Sequence, residues 1–190
     1  MKSNFRLMTW AVTVLTVGVL VGTRVAAADD KAAKAGVDAK TAFAKIKTLV
    51  GDWKGEISGE HGAKEDGQHK KVEAIVTYRL TGAGSALVET QGPGTAHEMV
   101  SVYHLDGDDL RMTHYCAAQN QPRMKLDRAN STPDDLIFVF DGGTNLDPQK
   151  DLHIHGLEIT FAKDGCIRSA WEAYTKGKSA GITAFVMTRK

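Results

Sequence analysis

"YHLDGDDLRMTHYCAAQNQPRM", residues 103–124, decides the fold. Two alternating runs flank Asp106-Gly107, which fits a two-residue hairpin turn. That turn pairs Tyr103 with Leu110, Ser101 with Met112, Met99 with His114, and His97 with Cys116. Alternation puts Leu110, Met112, His114 and Cys116 on one face of the second strand, with Arg111 turned to water on the other. His97, Met99, Ser101 and Tyr103 form the matching inward row of the first strand. Asn120-Gln121-Pro122 then supplies a turn before a third run begins at Arg123.

The pattern extends in both directions. Strands are predicted over Asp52–Gly59, Lys70–Leu80, Ala86–Gln91, Glu98–Leu105 and Asp109–Ala117. Five more follow over Arg123–Arg128, Asp135–Asp141, Leu152–Ala162, Ile167–Tyr174 and Ile182–Arg189. Turn chemistry separates them at Thr81-Gly82-Ala83-Gly84, Pro133-Asp134, Asp164-Gly165 and Lys176-Gly177. About ten sequential antiparallel strands in one small domain predict an all-β, up-and-down barrel, because closure removes both exposed edges. One short helix precedes it: from Asp38, the residues Ala42, Phe43, Ile46, Leu49 and Val50 share a face, and Gly51 is the expected terminator.

The first 28 residues read differently. Lys2 and Arg6 precede an apolar run from about Leu7 to Gly22, and Ala26-Ala27-Ala28 forms an A-x-A cleavage site. The run falls short of the roughly 20 apolar residues of a membrane span. The expectation is a signal peptide (1–28), a flexible segment (29–37) and a barrel domain (38–190), exported to the periplasm or beyond. No cysteine near the cleavage point offers a lipid anchor, so no stable membrane anchoring is expected. Without Lys2, Arg6 and Arg24, the 24 Lys and Arg fall to 21 against 23 Asp and Glu, a balance that does not favour nucleic acid. Cys116 and Cys166 either form a disulfide in an oxidising compartment or remain two small buried thiols.

Strand direction alternates along a meander, so alternate loops share an end. His97, His114, Asn120, Gln121, Arg123 and Asn145 map to one end, together with His153 and His155. Within Leu152–Ala162, His153 and His155 share a face with Leu157, Ile159 and Phe161, which is taken as interior. Trp53 and Arg189 map to the opposite end, where a guanidinium stacked on an indole would plug the barrel.

Gly51-Asp52-Trp53 at the start of strand one, the helical lead-in and Arg189 on the last strand resemble the calycin superfamily of lipocalins and fatty-acid-binding proteins. Residues 103–124 and "DLHIHGLEITF" (151–161) also resemble uncharacterised exported bacterial proteins with lipocalin-like barrels. The resemblance covers about Asp38 to Lys190 and implies a small-molecule cavity open at one end. The histidine-rich mouth departs from that pattern.

The first functional reading is a small-molecule binder, with Met99, Tyr103 and Met112 among the cavity walls. His97, His114, Asn120, Gln121, Arg123 and Asn145 would supply polar groups at the mouth. The second is a metal site: His153 and His155, with His114 as a third imidazole, would suit zinc and hydrolytic chemistry. Ser101, His114 and Asp141 lack a nucleophile elbow, which argues against a serine hydrolase.

Overall fold

The computed structural model describes residues 36–59, 64–65, 68–69 and 72–190. The expected signal peptide, most of the segment after it, and Lys70-Lys71 at the start of the second predicted strand lie outside the described residues.

Helix α1 (Ala39–Lys47) starts where a cap residue offers it an acceptor: Asp38 accepts from the Thr41 backbone N–H at 2.9 Å and from its hydroxyl at 2.6 Å. Its apolar face buries Ala42, Phe43 and Ile46. The helix is capped at Thr48, before the expected Gly51. Gly51 instead begins the first strand with φ of +131°. Gly36 and Val37, at the end of the segment expected to fray, pack on the barrel: Val37 is buried and its N–H donates to the Arg128 carbonyl at 3.1 Å.

The strands are β1 (Gly51–Gly59), β2 (Lys64–Glu65), β3 (Gln68–His69), β4 (Val72–Thr81), β5 (Ala86–Gln91) and β6 (Met99–Asp106). They continue as β7 (Asp109–Tyr115), β8 (Gln121–Leu126), β9 (Asp135–Thr144), β10 (His153–Phe161), β11 (Ile167–Thr175) and β12 (Lys178–Arg189). β2 and β3 pair only with each other. The other ten close an antiparallel barrel in sequential order, sealed where β1 meets β12 with Trp53 opposite Arg189. The predicted all-β barrel is the observed one.

Two local features depart from simple alternation. The β6–β7 turn is Gly107-Asp108, not Asp106-Gly107, so Asp106 pairs with Asp109 and the register moves by two residues. Gly107 adopts φ of +60° as the first turn residue, a position that favours glycine. A shift of two preserves every face but changes every partner: Ser101 faces His114, and Tyr103 faces Met112. In β10, the register against β11 slips between Ile154 and Gly156, a β-bulge that takes His155 out of the alternation.

The two ends of the barrel are built differently. At the α1 end, Phe43, Ile46 and Leu49 join Leu110, Leu136 and Met187 in a closed core. Trp53 lies within it, its indole N–H donating to the Leu49 carbonyl at 2.7 Å. The Arg189 guanidinium covers the ring at 4.7 Å and donates to the carbonyls of Val50 and Thr48. The expected plug is therefore present. Its glycines have steric reasons. A Cβ on Gly51 would lie 2.6 Å from Arg189 Nη1, and one on Gly55 would lie 1.9 Å from the Val186 carbonyl oxygen. Gly55→Ala should part β1 from β12 and lower stability by about 1–3 kcal/mol, read as a shift in the urea midpoint.

Candidate functional site

The opposite half of the barrel is hollow. A cavity of about 810 Å³ opens between the strand ends and loops that carry His97, Met99, His114, Cys116 and His153. Its walls are mainly apolar, with Ile57, Ile154, Trp171, Ala173 and Phe185 around the polar groups. No lysine or arginine is among its lining residues within the described part of the chain.

His114 is the centre of the wall. Parity places it inward on β7, and the register sets Ser101 beside it and Glu89 beside Ser101, a row across three strands. Nδ1 lies 2.9 Å from Ser101 Oγ. Nε2 is buried and has no hydrogen-bond partner, and the ring centroid stands 5.1 Å from that of Trp171. Burial pushes the imidazole down to about 4, because a charged ring would be stripped of water there. The unfolded chain therefore takes up a proton between pH 6.5 and about 4 that the folded protein refuses. Stability is then free of this penalty above pH 6.5 and falls as pH drops through that window, by roughly 3 kcal/mol at pH 4. His114→Phe should flatten the fall in the urea midpoint between pH 7 and pH 4; an unchanged slope would show that His114 does not set it.

The far member of this row is a buried carboxylate that the sequence did not single out. Glu89 is 2% exposed and accepts from Tyr103 Oη at 2.6 Å and from Gln91 Nε2 at 2.9 Å, with Tyr78 as a further donor. Burial pushes its carboxyl up, and the three hydrogen bonds oppose that rise. Burial and the Glu89 charge hold Tyr78 and Tyr103 well above the usual phenol range, so both remain donors. Strand β5 alternates Leu87, Glu89, Gln91 against Ala86, Val88, Thr90, and a charge normally marks the outer row. The signal that overrides this rule is the tyrosine on β4 directly opposite Glu89.

The remaining expected site residues divide. His97, Met99, His114 and His153 line the cavity. Tyr103 and Met112 are fully buried and absent from its lining, because they lie toward the β6–β7 turn, away from the strand ends that carry Met99 and His114. Asn120 is buried and donates to the Leu152 carbonyl at 2.8 Å, serving the loop. Gln121 Oε1 accepts from Asn145 Nδ2 at 2.9 Å in an exposed cluster outside the lining. Arg123 is exposed and does not line the cavity.

His155 does not share the interior row of His153. The bulge redirects it into a sandwich between Phe140 and Tyr174, with ring centroids 4.6 Å and 3.9 Å away, and brings Ile154 to the cavity wall instead. His153 Nδ1 faces the Asp151 carbonyl at 2.9 Å, so that nitrogen carries the proton. Its Nε2 then accepts from His155 Nδ1–H at 3.0 Å. Both nitrogens of His153 are thus occupied. Among the described residues no three His, Cys, Asp or Glu side chains gather as a metal site, and the expected trio of His114, His153 and His155 is not assembled. The hydrolase reading fails on geometry as well: Ser101 is 1% exposed and lies outside the cavity lining. Both cysteines are free, Cys116 at the cavity and Cys166 beside the β10–β11 turn at the other end. No helix among the described residues is long and apolar enough to cross a membrane.

A closed ten-stranded barrel, filled at one end and hollow at the other, defines the class structurally. A crystal structure of a protein of unknown function from the DUF3598 family of Nostoc punctiforme shares the fold, with a TM-score of 0.52 at 14% identity over 76% of this chain. This chain spans about half of that protein, 48% of its length. No family model matches the chain, and no curated protein matches it in sequence.

Proposed function

We propose that this protein is an exported, calycin-like carrier or receptor that binds one small molecule in the cavity at its histidine-rich end. The observation that carries the reading is the contrast within one wall: a largely apolar cavity of about 810 Å³ that holds a buried imidazole nitrogen with no partner. Cavities of roughly 300–1,000 Å³ with apolar walls and a few placed polar groups are typical of small-molecule sites. The closed base supports a single entrance, since Trp53 and Arg189 fill the far end. Export is supported by the basic, apolar and A-x-A succession of residues 1–28.

Native mass spectrometry of the protein purified from its own host tests the reading. The expected result is a mature chain beginning at Asp29 that carries a stoichiometric small molecule. Ala173→Trp, which directs an indole into the cavity, should remove that added mass while the protein stays folded. Retention of the same mass in the filled variant would place the molecule elsewhere and overturn the reading.

A further inference from the structure

We propose that protons and ligand compete for this cavity through His153, and that His155 takes up the first proton so that the cavity wall stays uncharged as pH falls. The proposal rests on the cavity being a ligand site and adds how its occupancy is regulated. Its basis is a pair of imidazoles whose hydrogen-bond directions are fixed by a backbone carbonyl. The Asp151 carbonyl can only accept, so His153 Nδ1, 2.9 Å away, carries a proton. In the neutral pair His153 Nε2 is therefore bare and accepts from His155 Nδ1–H at 3.0 Å. The one nitrogen left is His155 Nε2, which has no hydrogen-bond partner among the described residues.

A first proton thus has a single vacancy. Added to His155 Nε2, it breaks no hydrogen bond, and the charge settles on the more exposed ring, between the faces of Phe140 and Tyr174 with centroids 4.6 Å and 3.9 Å away. Burial and the adjacent His153 disfavour that charge, and Glu172 on β11 favours it. A second proton has only His153 Nε2 to go to, where it would meet His155 Nδ1–H head on. It would also charge a ring that is 1% exposed, in a wall shared with Ile154 and Trp171. A ligand that fills the cavity removes the water that could solvate this charge. Ligand therefore opposes the second proton, and by linkage the second proton opposes ligand. The other charges around the pair have partners of their own. The Asp151 carboxylate accepts from the Asp147 N–H at 2.8 Å, Lys150 pairs with Asp147 at 2.7 Å, and Glu172 accepts from Ser179 at 2.8 Å. His97, His114, Cys116 and Glu73 are the further titratable groups of the lining among the described residues. His155 is a positioning residue in this scheme: it acts on the ligand through His153.

N-phenyl-1-naphthylamine, an apolar fluorophore that stays uncharged from about pH 8 to about pH 4, tests the scheme when titrated into the mature protein across the range of histidine ionisation. Its affinity should fall as pH falls. His155→Phe keeps a ring between Phe140 and Tyr174 but removes both the vacancy and the opposing N–H. It should move the midpoint of the loss upward by about one pH unit, since His153 then charges without a neighbour to take the proton first. His153→Gln should leave only the fall that His114 sets near pH 4. Long-range ¹H–¹⁵N spectra of the free protein should show the neutral pair protonated at Nδ1 of both rings, with His155 gaining its second proton first. An unchanged midpoint in His155→Phe, or His153 charging before His155, would overturn the proposal and leave the cavity reading standing. Failure of the fluorophore to bind even at the upper pH would count against the cavity reading, and the proposal would fall with it.

Discussion

Trp53→Ala should remove about 3–5 kcal/mol of stability, the usual cost of truncating a buried tryptophan. Three losses coincide at this position. The indole is 4% exposed within the closed core, so its removal leaves a void at the base of the barrel. The Leu49 carbonyl loses its 2.7 Å donor at the point where helix hands over to strand. The Arg189 guanidinium loses the ring beneath it while remaining tied to Val50 and Thr48. Small domains have only about 5–15 kcal/mol in total, so this substitution alone approaches the limit of folding. Trp53→Phe should cost less, because it keeps most of the apolar volume and loses mainly the hydrogen bond. Urea denaturation of the three proteins checks this. A loss under 1 kcal/mol for Trp53→Ala would mean that α1 closes the barrel without the indole.

Glu89→Leu should cost a similar 3–5 kcal/mol, although it replaces a charge by an apolar group inside the barrel. The reason is what remains: Tyr78, Tyr103 and Gln91 would each be left with a buried donor facing hydrocarbon. An unsatisfied buried donor costs about 1–3 kcal/mol. The triple change Glu89→Leu with Tyr78→Phe and Tyr103→Phe should recover much of the loss, since it removes both orphaned hydroxyls together with the carboxylate. Glu89→Gln should fall between, because its amide N–H₂ must oppose one of the three donors. The pH dependence has the opposite sign to that of His114. The folded carboxyl is raised above its ordinary value of 4.5, so its contribution is fully present below pH 4.5 and is lost as pH rises through the folded value. If the triple change is no more stable than Glu89→Leu alone, orphaned donors are not the cause of the loss.

Much of the architecture was legible because it depends on short-range rules. Alternation with a period of two marked all ten barrel strands, and turn residues marked the breaks between them. Counting strand directions assigned His97, His114 and His153 to one end and Trp53 and Arg189 to the other, without knowledge of any contact. Periodicity is silent, however, about insertions. The bulge at His155 shifts one ring from the interior row to a stack with Phe140 and Tyr174, and its one trace in "DLHIHGLEITF" is Gly156, a glycine inside a strand of the kind that often marks a bulge. The β6–β7 turn shows the same limit in milder form. Asp106-Gly107 and Gly107-Asp108 both make acceptable turns, and the two choices give identical faces but different neighbours.

By itself, the sequence determined the ten strands of the barrel, their order around it, the faces they bury apart from His155, and which end carries His97, His114 and His153; the short β2–β3 pair was not foreseen. These follow from backbone periodicity and chain direction, which each segment carries locally. The tertiary structure alone decided that Ser101 is the partner of His114, that Glu89 is held inside by tyrosines from β4 and β6, and that the histidine end of the interior holds a cavity of about 810 Å³. Those outcomes depend on register between strands and on whether a buried charge finds its donors. Both are properties of several strands at once, and no single segment encodes them.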